Sequence, residues 1–131
     1  MGKTSRTTWK QFEKKVADML SSVFGKKLFR NPLSGANNRT DLGKPRCGDV
    51  VMPPGVPLIV EAKFRSGHAV HRFYEEAQED TEKVGFPSEN VLLFTKEKGK
   101  SLVLVTVSAD FLLRLLGIAR DAGQLDTFLG S

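Results

Sequence analysis

Residues 48–64, GDVVMPPGVPLIVEAKF, restrict the fold more than any other segment of the chain. Two β-branched, apolar runs, each too short for a helix, flank a PPGVP turn, and this pattern predicts strands over 49–52 and 58–64. Side chains alternate along a strand, so Leu58, Val60, Ala62 and Phe64 share one face while Ile59, Glu61 and Lys63 share the other. If the preceding strand lies alongside, Asp49 projects beside Glu61 and Lys63. Charges buried between a sheet and a helix are costly unless something compensates them. The segment therefore fixes a sheet and raises the question of what its three charges are for.

A third acid is out of place in the same way. Residues 8–24 predict a helix, with Thr8 and Gln11 in capping-box spacing and Gly25 as the stop. At about 100° per residue, Trp9, Phe12, Val16, Ala17, Met19, Leu20, Val23 and Phe24 fall within an arc of roughly 160°. Lys10, Lys14, Lys15, Asp18, Ser21 and Ser22 fall outside that arc, whereas Glu13 lies inside it.

The rest of the chain completes an α/β pattern. A short strand, KKLFR, leads into a loop of about sixteen residues rich in Asn, Gly and Pro. A connection of that length in a small domain is usually functional or mobile. Residues 69–84 carry a helical stripe of Val70, Phe73, Tyr74, Ala77, Thr81 and Val84, and Gln78 reads as solvated helix surface, the other reading being a group that orients water or substrate. NVLLFTKEKGKSLVLVTV reads as a hairpin turning near Lys98, Gly99 and Lys100. Ser108 then caps a last helix whose Leu112, Leu113, Leu115 and Leu116 are expected mainly in the core. Its other expected use, with the strand at 101–107, is as an interface. The expected fold is a single domain over 1–131, a central mixed β-sheet of about five strands flanked by helices.

Length and composition agree with this. A 131-residue chain is about one domain. No apolar run approaches the roughly 18 residues needed to span a bilayer, and the N-terminus lacks the apolar segment of a secretory signal. The expected location is cytoplasmic. The lone Cys47 has no partner for an internal disulfide and reads as a small loop residue. His68 and His71 have i, i+3 spacing, but nothing completes a transition-metal set, so they read as exposed or DNA-facing.

Charge is segregated. Residues 1–48 hold eleven Lys and Arg against three Asp and Glu, a net of +8, while residues 49–131 carry nine against twelve, a net of −3. Such a bias suits a polyanion, whose condensed counterions Lys and Arg release on binding. It also fits a plain solvated surface.

A hard divalent cation would compensate the misplaced acids. Mg²⁺ takes oxygen ligands and keeps several waters, using one or two carboxylates and phosphate oxygens. Asp49, Glu61 and the backbone carbonyl of Ala62 offer such a half-open site, and Lys63 adds a point charge beside a nucleophile. The expected chemistry is phosphodiester hydrolysis. The plain alternative is a strand-edge acid with a Glu61–Lys63 surface pair.

Glu13, Asp49 and the triplet Glu61-Ala62-Lys63 resemble the PD-(D/E)XK nuclease superfamily, whose core is restriction-endonuclease-like. Within it the likeness is to the archaeal-type Holliday-junction resolvases, cellular or viral, over most of the chain. The resemblance implies a metal site formed by Glu13, Asp49 and Glu61 with Lys63 catalytic. In RNPLSG it places Arg30 and Ser34 at the phosphate, in the pattern R-x-x-x-S. It implies Mg²⁺, with Mn²⁺ as a substitute, no organic cofactor, and no membrane. The implied assembly is a homodimer, because two symmetric cuts in a four-way junction need two active sites related by a two-fold axis. Lys10, Lys14, Lys15, Lys26, Lys27, Arg30, Arg39, Lys44 and Arg46 would track the DNA backbone without reading bases. Two features depart from the pattern: a long loop between Ser34 and Asp49, and Gly48 where the superfamily name has proline. A nuclease of flaps, ends or duplex, and a non-catalytic basic nucleic-acid-binding module, are the competing readings.

Overall fold

The first helix decides how the remaining elements pack. In the computed structural model, which describes residues 2–32, 48–65 and 69–130, α1 spans Gly2–Phe24, beginning six residues before Thr8. It buries Phe12, Val16, Ala17 and Leu20, all from the expected apolar arc. Met19, at one margin of that arc, and Val23, in the last turn of the helix, are exposed. Gly25, at φ +70°, ends the helix in the left-handed conformation. Ser21 Oγ then accepts from Leu28 N at 2.8 Å, which aims the chain into β1, Phe29–Arg30.

β2, Val50–Val51, pairs antiparallel with β1. β3, Ile59–Arg65, is joined to β4, Val91–Glu97, through α2, Val70–Lys83. β3 and β4 are parallel, with Glu61 opposite Leu93 and Ala62 opposite Phe94, as expected of two strands joined through a crossover helix. β5, Val103–Thr106, returns antiparallel beside β4. α3, Ala109–Asp121, is capped by Ser108, whose Oγ accepts from Phe111 N at 3.0 Å, and α4, Leu125–Leu129, follows.

The faces of β3 separate as its alternation requires. Val60 and Ala62 join Phe12, Val16, Ala17, Leu20, Leu28, Val50 and Phe94 in the core beneath α1, with Phe64 against its margin. Burial of each large apolar side chain here contributes about 1.5–3 kcal/mol. α2 covers the other face with Phe73, Ala77 and Thr81. Among the described residues no helix is long and apolar enough to cross a membrane.

Two expectations are corrected. The strands form a three-stranded sheet, β3-β4-β5, and a separate pair, β1-β2, rather than one central sheet of about five. The reason lies at the open edge of β3. Asp49 N donates to Val60 O at 2.7 Å, which starts a ladder, but the next donor on that edge, Ala62 N, is taken by Asp49 Oδ2 at 2.8 Å. A side chain replaces the main-chain partner and the ladder stops.

The second correction concerns α3, which has no buried residue. Leu112, Leu113 and Leu115 are exposed rather than core. β5 is the sheet's edge, and α3 leaves from it without crossing back over a hydrophobic layer. Its polar ties are Ser108 N to Tyr74 Oη at 3.1 Å and Arg114 to Glu89 at 3.3 Å.

Candidate active site

Chain geometry around Gly48 brings the acids together. Gly48 has φ +87°, and a Cβ there would sit 2.8 Å from Val60 O and 3.2 Å from Val60 N. Only glycine tolerates both the dihedral and the approach. Proline, fixed near φ −65°, is incompatible with this backbone, which accounts physically for the departure from the proline-aspartate pattern.

Asn31, fully buried, holds the same turn: its Nδ2 donates to Gly48 O at 2.9 Å. Its backbone N donates to Asp49 O at 2.7 Å. Asp49 is thereby fixed at the edge of β3, between the two layers of the fold.

Glu13 reaches this edge from α1 and Glu61 from the opposite face of the sheet. Asp49 lies within hydrogen-bonding reach of both carboxyls. Glu13 has no exposed surface. Burial first, and then the Asp49 charge, raise its pKa from 4.5 to about 7, against the lowering effect of Arg30. The same two causes, in the same order, raise Glu61 well above the ordinary carboxylate range, while Lys63 opposes them and Asp80 adds to them. Arg30 donates to Glu13 Oε1 through Nε at 2.9 Å and through Nη2 at 2.8 Å. Lys63 lies on the Glu61 face with Nζ 5.1 Å from the centre of the Phe73 ring. That cation–π contact restrains the ammonium.

Glu13, Asp49, Glu61, Lys63 and Arg30 are thus neighbours. Among the described residues, no group of three or more His, Cys, Asp or Glu side chains is spaced to hold a metal ion by itself. The donor set nevertheless fits a hard cation that keeps much of its water. Asp49 and Glu61 would supply carboxylate oxygens. The Ala62 carbonyl emerges on the same strand edge as the Ala62 N–H that Asp49 binds, because the N–H and C=O of one strand residue point to one side. Glutamates whose pKa values are raised by burial and by the neighbouring Asp49 charge are groups whose ionised form a divalent ion would favour. Glu13, with Oε1 engaged by Arg30, is tied more closely to the guanidinium than an open ligand would be.

Of the expected phosphate-tracking residues, Lys10, Lys14, Lys15 and Lys26 are exposed. Lys27 is exposed and pairs with Asp18 at 3.1 Å. Ser34, Arg39, Lys44 and Arg46 lie outside the described residues, as do Cys47 and His68. His71 is exposed and Gln78 half-buried.

Two contributors escape the sequence reading. For Asp80 the available signal is its spacing, three residues after Ala77 and seven after Phe73 on the buried side of α2. Asn31 offered no signal beyond an Asn-Pro step after a strand.

Acids from two layers meeting on a strand that carries an E-x-K triplet are the arrangement of the PD-(D/E)XK nucleases. Comparison of the whole sequence agrees. Residues 4–122 match the family described as "Phage putative PDDEXK endonuclease", and the chain belongs to that family. No curated protein and no solved structure matches it.

Proposed function

We propose that this nuclease is a Mg²⁺-dependent endonuclease that resolves four-way DNA junctions by paired phosphodiester hydrolysis, acting as a homodimer. The observation that carries the hydrolytic part is the meeting of Glu13, Asp49 and Glu61 at one sheet edge, where Asp49 Oδ2 accepts from Ala62 N beside Glu61 and Glu13 Oε1 accepts from Arg30. Mg²⁺, or Mn²⁺ in its place, would be held by Asp49, Glu61 and the Ala62 carbonyl, supplying Lewis-acid charge for a scissile phosphate.

The chain's own groups do the rest. Lys63 brings a positive charge beside the attacking oxygen. Glu13 orients Arg30, whose partly exposed guanidinium is a phosphate contact. Ser34 is assigned to the same phosphate by the R-x-x-x-S pattern. Lys10, Lys14, Lys15, Lys26 and Lys27, with Arg39, Lys44 and Arg46 of the basic loop, follow the backbone of the DNA arms.

The homodimer reading draws on the solvent-facing leucines of α3 and on the open β5 edge. Leu113 is 64% and Ile118 67% exposed, and Leu104 of β5 is 56% exposed. Large apolar side chains left in water on two consecutive elements would be covered where two copies meet. A two-fold pair would present two active sites to the two strands that must be cut.

The test is cleavage of synthetic four-way junctions, flaps and linear duplex in Mg²⁺ by the parent protein and by Asp49→Asn and Glu61→Gln. Symmetric nicking of the junction, lost in both variants, is the expected result. Cutting of flaps or duplex instead makes the protein a nuclease of other DNA, and binding without any metal-dependent cut makes it a non-catalytic basic module.

A further inference from the structure

On the other side of Arg30 from the acids, α1 and β1 enclose a cleft of about 400 Å³ that the catalytic reading does not use. It is lined by Lys14, Ala17, Asp18, Lys27, Leu28, Phe29, Arg30 and Pro32. Its volume falls within the range of about 300–1,000 Å³ typical of small-ligand sites. The floor is apolar and rigid, because Ala17 and Leu28 are 1% and 4% exposed. Phe29 stands out from it, 63% exposed, on a strand where Arg30 turns inward to Glu13.

An aromatic ring this open, at the end of a two-residue strand, contributes little to the core. Lys27 Nζ lies 5.9 Å from its centre, and Lys14 and Arg30 complete a cationic rim. Among the described residues, Asp18 is the one acid in the lining. Its pair with Lys27 is exposed on both sides, the kind of contact that contributes little and exchanges readily for a phosphate.

A flat apolar platform beneath three cations matches one class of ligand. A nucleobase offers a π-face to the ring, and its phosphates answer the Lys and Arg side chains. Bases inside a duplex are already stacked on their neighbours, so the occupant must be unpaired. Arg30 belongs both to this cleft and to the acid cluster, so a nucleotide bound here adjoins the phosphate to be cut.

We infer that the α1–β1 cleft binds an unpaired nucleotide of the DNA substrate, its base stacked on Phe29 and its phosphates on Lys14, Lys27 and Arg30. The inference rests on the nuclease reading and deepens it: a flap or single-stranded tail offers an unpaired nucleotide that linear duplex lacks, whereas a four-way junction, whose bases are all paired, offers one only when a base pair at the crossover opens.

The experiment is fluorescence anisotropy with the full chain, with Ca²⁺ replacing Mg²⁺. Labelled single-stranded oligonucleotide, flap, four-way junction and equal-length linear duplex are titrated with the parent, Phe29→Ala and Phe29→Trp. Phe29→Ala is expected to weaken single-strand and flap binding by roughly 5- to 100-fold, junction binding by less, because a crossover pair must first open, and duplex binding by less than about twofold. Phe29→Trp is expected to retain affinity, and its added indole emission to be quenched by single strand and not by duplex. Equal losses on all ligands, or no loss on any, would overturn the cleft assignment even if the parent cuts DNA in Mg²⁺. A parent that binds single strand through Phe29 yet cuts nothing would instead overturn the nuclease reading and leave the cleft standing. Melting of both variants, followed by circular dichroism, checks that this exposed position leaves the fold intact.

Discussion

Replacing Gly48 by alanine, with Gly55→Ala as its partner, separates dihedral strain from steric contact at the point where the aspartate is set. Both glycines have positive φ, +87° and +83°, but an added Cβ at Gly55 meets nothing within 4 Å, whereas at Gly48 it meets Val60 O at 2.8 Å. Forcing an L-residue into the left-handed region costs about 1–2 kcal/mol, and Gly55→Ala should cost only that. At Gly48 the contact is with backbone on both sides, so the turn itself must move away from β3. That movement stretches the 2.7 Å bond from Asp49 N to Val60 O and the 2.8 Å bond from Ala62 N to Asp49 Oδ2. Each such bond contributes about 0.5–1.5 kcal/mol net, bringing the expected loss for Gly48→Ala to about 2–5 kcal/mol. The assay is urea unfolding followed by circular dichroism, with the two variants compared at equal m-value. Cleavage should fall in Gly48→Ala and not in Gly55→Ala, because only the first displaces a carboxylate. Equal destabilisation by the two substitutions would refute the argument, since it would mean that the close approach to β3 contributes nothing.

Asn31→Ala should cost about 1–3 kcal/mol in the same unfolding assay, because it leaves the buried Gly48 carbonyl without its side-chain donor. For Glu13, a folded pKa of about 7 against 4.5 means that the native state holds a proton which the unfolded chain has lost. Its contribution to stability is therefore full below about pH 4.5 and declines as pH rises towards 7; Glu13→Gln should flatten that part of the stability–pH profile. Titration with Mn²⁺ near neutral pH should release protons, measured by calorimetry in buffers of different ionisation enthalpy, and Glu61→Gln should reduce the release. If two copies pair through α3, Leu113→Glu with Ile118→Glu should shift the sedimentation of the protein from dimer to monomer while leaving the melting of the core sheet in place.

The elements that sequence reading placed well are those whose pattern is local. The apolar arc of α1, the alternation of β3, the stripe on α2 and the Ser108 cap each reflect forces acting within a few residues. Glu13 was legible because an acid inside an apolar arc breaks a local rule, and Glu61 and Lys63 because they share one face of a strand. What escaped was non-local. The break between the two sheets depends on a single bond from Ala62 N to the Asp49 side chain, and no periodicity encodes that. Asn31 acts through a carbonyl seventeen residues away. The leucines of α3 read as core by composition, yet which layer a helix covers depends on where its strand sits in the sheet, and β5 sits at the edge.

That placement of α3 sets how the C-terminal segment breathes. Neither α3 nor α4 buries a side chain, so lifting them from the rest of the protein uncovers little that water does not already touch. Their amides should exchange with deuterium through small openings, long before those of β3 and β4. If two copies close over the leucines, the same amides should become protected as the protein is concentrated, through mass action. The exchange rate of one helix then serves as a gauge of self-association.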